Sequence, residues 1–226
     1  MEKLEKIKEI VKREMEGLDP SHDFLHVMRV YNLCLLIAKS EKDVDMEVLK
    51  AAALLHDIAR IREIEDKSGK INYEILGAEM AEKILRGMNY SDYQIEKIKH
   101  CIMTHRFRTS NRPQTAEAKI LSDADKIDAI GATGIARTFV SAGLYKQKIY
   151  SDVNIEEYAK ENLIDGKYDG KIKDVSKHSP IIEFNVKLKR IPEKLLTKRG
   201  KEIGSERIEF MEKFFEMIED EMKGEK

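Results

Sequence analysis

A chain of 226 residues fits one large domain, or one domain with an appendage, and is long enough to bury a core without disulfides. Its 41 Lys+Arg against 42 Asp+Glu leave a net charge of −1, which argues against a dedicated nucleic-acid binder, since such proteins usually carry a basic excess. Cys34 and Cys101 form no zinc-ribbon spacing, no apolar run is long enough to span a bilayer, and the first residues do not resemble a signal peptide, so a reducing, cytoplasmic setting away from membranes is expected.

Leu4, Ile7, Val11 and Met15 recur at helical spacing among charges and predict an amphipathic helix over residues 4–15. Gly17 ends it, and Asp19-Pro20-Ser21 prepares a second helix from His22 to about Lys39. On that helix His26, Val30, Leu33 and Ile37 share a face, with His22 one turn earlier. A third helix is predicted over residues 48–64. Its middle, Ala51-Ala52-Ala53-Leu54-Leu55-His56-Asp57-Ile58, sets a histidine and an aspartate into an apolar run, where an ionised carboxylate is costly unless something pairs with it.

Ser68-Gly69-Lys70 reads as a loop, and helices follow over residues 75–88 and 93–105, the second capped by Ser91-Asp92. On this helix His105 continues the row Ile98, Cys101, Ile102, whereas His100 points about 140° away, toward water. Residues 107–113 are polar and irregular. Residues 116–140 form a small-residue helical pattern that holds Asp123, Asp125 and Asp128 and is weakened by Gly131 and Gly134. Gly, Asp and Lys dominate the next stretch, an irregular connection over about 150–180; residues 184–196 and 205–222 are helical again. No strand-like alternation occurs. The expected fold is all-α, a single-domain helical bundle with its core over about 19–140 and C-terminal helices (about 184–222) packing back on that core.

His26, His56, Asp57 and Asp125 are the inward-facing ligand-type residues, with His105 as an addition. Singly each has an ordinary structural role, because an inward histidine is more often a hydrogen-bonded core residue and an aspartate near a helix start is usually a cap. Jointly they suit a divalent cation: imidazole and carboxylate are both good ligands, and helical folds build metal sites from facing side chains. The expected cofactor is Mn, Mg, Fe, Co, Ni or Zn.

His26 in His22-Asp23-Phe24-Leu25-His26, the pair in Leu54-Leu55-His56-Asp57, and Asp125 in Ser122-Asp123-Ala124-Asp125-Lys126-Ile127-Asp128 together resemble the pattern of the HD superfamily of metal-dependent phosphohydrolases. The longer run from Asp123 to Phe139 looks like small, single-domain bacterial and archaeal members, some of which are nucleoside triphosphate pyrophosphohydrolases. The resemblance covers about residues 19–139 and resumes over 184–221. It implies an HD-type fold, the four ligands His26, His56, Asp57 and Asp125, and a small phosphorylated partner, a nucleotide, cleaved as triphosphate to monophosphate and diphosphate. Candidates to hold phosphates are Lys126, Arg137 and Arg106, while His105 would protonate a leaving oxygen or bond a phosphate.

Some family features are missing. No Gly-Tyr-Pro follows, unlike the cyclic-dinucleotide phosphodiesterases, and Arg60-Ile61-Arg62 stands where guanosine tetraphosphate hydrolases carry an acidic pair. Dinuclear iron oxygenases need two further histidines, of which only His105 is well placed. A non-catalytic metal and nucleotide sensor, or an iron-dependent HD oxygenase, are the alternatives.

Overall fold

The computed structural model describes residues 2–19, 22–66, 68, 71–106, 111–168 and 170–226. Pro20 and Ser21 of the expected second helix start, Gly69 and Lys70 of the expected loop, and residues 107–110 of the irregular stretch lie outside the described residues. Among those described the regular structure is all-α; one isolated antiparallel bridge joins Leu163 and Ile172. No described helix is long and apolar enough to cross a membrane. The chain divides into two compact units, residues up to Lys126 with Leu196–Gly200, and Ile127–Leu195 with Lys201–Lys226.

The first unit holds α1 (Glu2–Glu14), α2 (Phe24–Ala38), α3 (Met46–Leu55), α4 (Arg60–Glu65), α5 (Tyr73–Arg86), α6 (Asp92–Thr104) and α7 (Ala116–Asp128) as far as Lys126. Its centre is α3, which packs on α1, α2 and α6, while α6 also packs on α5. Val48, Leu49 and every residue from Ala51 to Leu55 are buried, as expected of a helix apolar on all sides. Side-chain caps fix the helix starts: Asp23 for α2, Asp45 for α3, Asn72 for α5, and a full capping box of Ser91 and Gln94 for α6.

The single helix expected over residues 48–64 is two. It stops at Leu55, turns through residues 56–59 and restarts at Arg60, with Ile58 N bonded to Leu55 O (3.2 Å) and Arg60 N to Asp57 O (2.9 Å). These bonds span three residues instead of four and tighten the chain. In a continuous helix the neighbours His56 and Asp57 would point about 100° apart; here both face the same site.

The second unit holds α8 (Gly131–Leu144), α9 (Ile155–Asn162), α10 (Pro180–Val186) and α11 (Lys198–Lys223) from Lys201 onward. The helix expected over 116–140 is also interrupted. Gly131 lies at φ +80, where a Cβ would also meet the Arg207 side chain at 3.0 Å, and Arg207 Nη1 donates to Ile127 O (2.7 Å) and Ile130 O (3.3 Å) across the break. The connection expected to be irregular contains α9, capped by Asn154. The helix expected over 184–196 ends at Val186, where Lys187 leaves helical geometry (φ −139, ψ −59), and continues as two short 3-10 turns, the second opening on Pro192.

A directed polar chain ties α9 to α10. Asn162 Nδ2 donates to the Tyr158 hydroxyl (2.8 Å), which lies 2.7 Å from His178 Nδ1, and His178 Nε2 meets Glu183 Oε2 at 2.9 Å, with Lys187 Nζ on Oε1 at 2.6 Å. Burial alone would raise the Glu183 carboxyl, but Lys187 and His178 hold it well below its ordinary value of 4.5. A carboxylate depressed by folding stabilises the protein above its unfolded pKa and loses that contribution as pH falls. The stability gap between wild type and Glu183→Gln is therefore expected to be widest near neutral pH and to close below about pH 4.5. Urea midpoints at pH 7, 5 and 3 check this; a gap independent of pH would contradict it.

Candidate metal centre

The site belongs to the first unit and is assembled from the starts and ends of its helices. Asp23 accepts from His26 N (3.0 Å), which seats His26 in the first turn of α2. His56 follows the last residue of α3, and its Nδ1 lies 2.8 Å from Ala53 O. A carbonyl only accepts, so Nδ1 carries the proton and the Nε2 lone pair of neutral His56 faces into the site. Burial pushes the His56 pKa down, which keeps that lone pair available.

Four ligand-type atoms converge there. His56 Nε2 lies 3.3 Å from His26 Nε2; Asp57 Oδ2 lies 3.5 Å from His26 Nε2 and 3.7 Å from His56 Nε2. Asp125 Oδ1 is 3.6 Å from His26 Nε2 and 4.0 Å from His56 Nε2. His26, His56 and Asp57 are almost fully buried, and the Asp125 side chain is 24% exposed, so one side opens to solvent. Such a cluster is expensive in a buried place unless a cation occupies its centre. His26, His56 and Asp57 offer ligand atoms close enough together to hold a metal ion. Bonds of about 2.1 Å would put ligand atoms about 3.0–3.4 Å apart, near the separations found. The donor set fits a divalent metal.

Asp57 has two faces. Its Oδ1 lies 3.6 Å from His105 Nε2, and His105 Nδ1 donates to Ile102 O at 2.6 Å. Burial would raise the Asp57 pKa, yet His56, His105 and His26 hold it well below the usual carboxylate range. His105 also meets the hydroxyl of Tyr73 at 3.2 Å, a residue that sequence reasoning missed because nothing in its neighbourhood marks it beyond the Asn72 cap. When His105 is neutral its Nε2 accepts from Tyr73; when protonated it donates toward Asp57.

The expected phosphate-binding residues Lys126 and Arg137, and polar residues elsewhere on α6 and α7, are placed as follows. Lys126 Nζ donates to Ser122 Oγ (2.6 Å), Ser122 O (3.1 Å) and His105 O (3.3 Å), so it sits behind His105 at the end of α6. Arg137 lies in the second unit with Nη1 on Asp128 Oδ2 at 2.9 Å. Asp123 is fully buried and accepts from Leu196 and Thr197. His100, expected to face water, is half-buried and accepts from Gln114 N at 3.1 Å. Glu117 accepts from Asp45 N (2.8 Å) and Lys97 Nζ (3.0 Å), an inter-helix clamp.

Comparison with known proteins places this arrangement. Residues 23–130 match the HD domain family model, a span that contains all four converging residues. That segment of the chain is similar to HD domains. It is 25% identical over 231 residues to the protein YpgQ of Bacillus subtilis, covering 99% of this chain and 96% of YpgQ. The crystal structure of YpgQ in complex with ADP has the same fold, with TM-score 0.70, 24% identity, and 97% of this chain and 95% of YpgQ covered. An HD-superfamily hydrolase from Bacillus thuringiensis gives TM-score 0.71 at 23% identity, covering 98% and 97%. A predicted HD superfamily hydrolase from an uncultured Thermotogales bacterium gives 0.66 at 26%, covering 96% and 92%.

Proposed function

We propose that this HD protein is a metal-dependent phosphohydrolase that cleaves a nucleoside triphosphate to monophosphate and diphosphate. The observation that carries this reading is the convergence of His26, His56, Asp57 and Asp125 on one point beside a solvent opening. The HD-superfamily hydrolases of the same fold support the reaction class, and the YpgQ–ADP complex supports a nucleotide as substrate. His26, His56, Asp57 and Asp125 would hold a divalent metal, with Mn, Mg, Fe, Co, Ni and Zn as candidates. When bound, such an ion lowers the pKa of a coordinated water and polarises a phosphoryl oxygen.

The remaining work falls to the chain's own side chains. His105, fixed by Ile102 O and backed by Lys126, would deliver a proton from Nε2 to a leaving oxygen. Tyr73 would orient that nitrogen. Phosphate contact by Lys126 would require it to leave the His105 and Ser122 carbonyls.

Turnover of a nucleoside triphosphate in water labelled with heavy oxygen tests the reading. Attack at the α-phosphorus is expected to put the label in the monophosphate. Label only in inorganic phosphate would instead mark a phosphomonoesterase, and metal-loaded protein that binds nucleotide without turnover would mark a sensor.

A further inference from the structure

Two arginines flank the site on the His105 side. Arg60 follows the His56–Asp57 turn and Arg106 follows His105, so each guanidinium is tied to the backbone of the centre. Their Cζ atoms lie 5.1 Å and 4.9 Å from the ring centroid of Tyr73, whose hydroxyl is the one that meets His105. Two like charges on one ring need counter-ions, and Glu63 and Glu74 supply them. Glu63 is bonded to Arg60 and lies 3.4 Å from Arg106 Nη1; Glu74 also lies 3.4 Å from Arg106 Nη1.

These pairs leave donor capacity unspent. Charge-assisted bonds normally close to about 2.7–2.9 Å, so both contacts of Arg106 are loose. Among the described residues Arg60 Nε is buried with no hydrogen-bond partner, although a guanidinium carries five N–H donors. The two carboxylates also differ: the Glu74 side chain is 6% exposed and fixed on α5, whereas Glu63 is 24% exposed on the six-residue α4 and can turn to water.

We propose that Arg60 and Arg106 take the diphosphate end of the substrate, and that Glu63 holds their place in the free protein. This subsite rests on the triphosphate reading and deepens it. A diphosphate group presents several oxygens to two planar forks, a match that a lone carboxylate cannot complete. Asp57 then separates the two halves of the reaction, its Oδ2 facing the converging ligands and its Oδ1 facing His105 and, beyond it, the arginine stack. The leaving diphosphate lies on the arginine side, where His105 can protonate the departing oxygen.

Calorimetric titration of inorganic diphosphate into the full chain with manganese present tests the subsite. Arg106→Gln is expected to weaken binding by about ten- to hundred-fold. Glu63→Gln is expected to tighten it by about two- to five-fold, since a competing ion pair is removed; a loosened fold cannot produce a gain. No diphosphate binding by wild type, equal affinity in Arg106→Gln, or weaker binding in Glu63→Gln would each overturn the proposal. The labelling experiment separates it from the reading beneath it. Arg106-dependent diphosphate binding without triphosphate cleavage would keep the subsite and remove the activity. Diphosphate release with binding indifferent to Arg106 would remove the subsite alone.

Discussion

His56→Ala is expected to strip the tightly bound divalent metal from the purified protein and to lower turnover by well over about a hundred-fold, beyond the range typical of outer-shell changes. His56 is fully buried with its Nδ1 committed to Ala53 O, so its Nε2 faces His26, Asp57 and Asp125. His105→Ala, in contrast, is expected to keep about one metal equivalent per chain while lowering turnover by about a hundred-fold or more, the range of a lost proton donor. His105 Nε2 meets the other oxygen of Asp57 and the Tyr73 hydroxyl, and a second metal about 3.5–4 Å from the first would need more ligands than that. Metal content by mass spectrometry after dialysis reads both variants. Loss of metal from His105→Ala, or two equivalents in wild type, would put His105 among the ligands.

The all-α class and the three helices that bring His26, His56–Asp57 and Asp125 together were legible because each residue breaks a local rule. An ionisable group in an apolar stripe stands out in one dimension. The break at residues 56–59 was not legible, since the apolar spacing runs through it unchanged and only the tightened hydrogen bonds around Asp57 reveal it. Gly131 gave a warning that its φ of +80 explains, and Pro192 gave one that the helix reading over 184–196 passed over. Tyr73 and Arg60 had no signal at all, and Arg106 stood out only as a candidate to hold phosphate. Arg60 and Arg106 are 46 residues apart, and nothing in the spacing pairs them until α4 and the end of α6 bring them over the Tyr73 ring of α5. The early start of α11 was hidden for a similar reason: Gly200 and Gly204 weaken the pattern there, and what secures the first turn comes from Asp123, more than seventy positions back.

That carboxylate supports the second large effect, which separates two aspartates only two positions apart. Asp123 accepts from Leu196 N (2.9 Å), Thr197 N (2.7 Å) and Thr197 Oγ1 (2.7 Å), and Thr197 Oγ1 in turn accepts from Gly200 N at 3.0 Å. A Cβ at Gly200 would come within 2.6 Å of Asp123 Oδ2, so the chain is held close against it. Asp123→Ala strands two N–H groups and a hydroxyl in a buried place, each costing about 1–3 kcal/mol. Taken as incompletely additive, the loss is about 3–5 kcal/mol, which lowers the melting temperature by about 6–20 °C for a chain of this size. Asp123→Asn, which keeps one acceptor oxygen, should lose less, and neither variant should lose the metal. Asp125→Ala is expected to do the reverse. Its carboxylate is partly exposed and, like that of Asp57, lies beside His26 Nε2 (3.6 and 3.5 Å), so its removal is expected to relieve like-charge repulsion in metal-free protein and not to lower the melting temperature. The same variant should no longer retain metal. Thermal scans of metal-free protein beside metal analysis give both readings, and metal lost from Asp123→Asn but kept in Asp125→Ala would exchange the two roles.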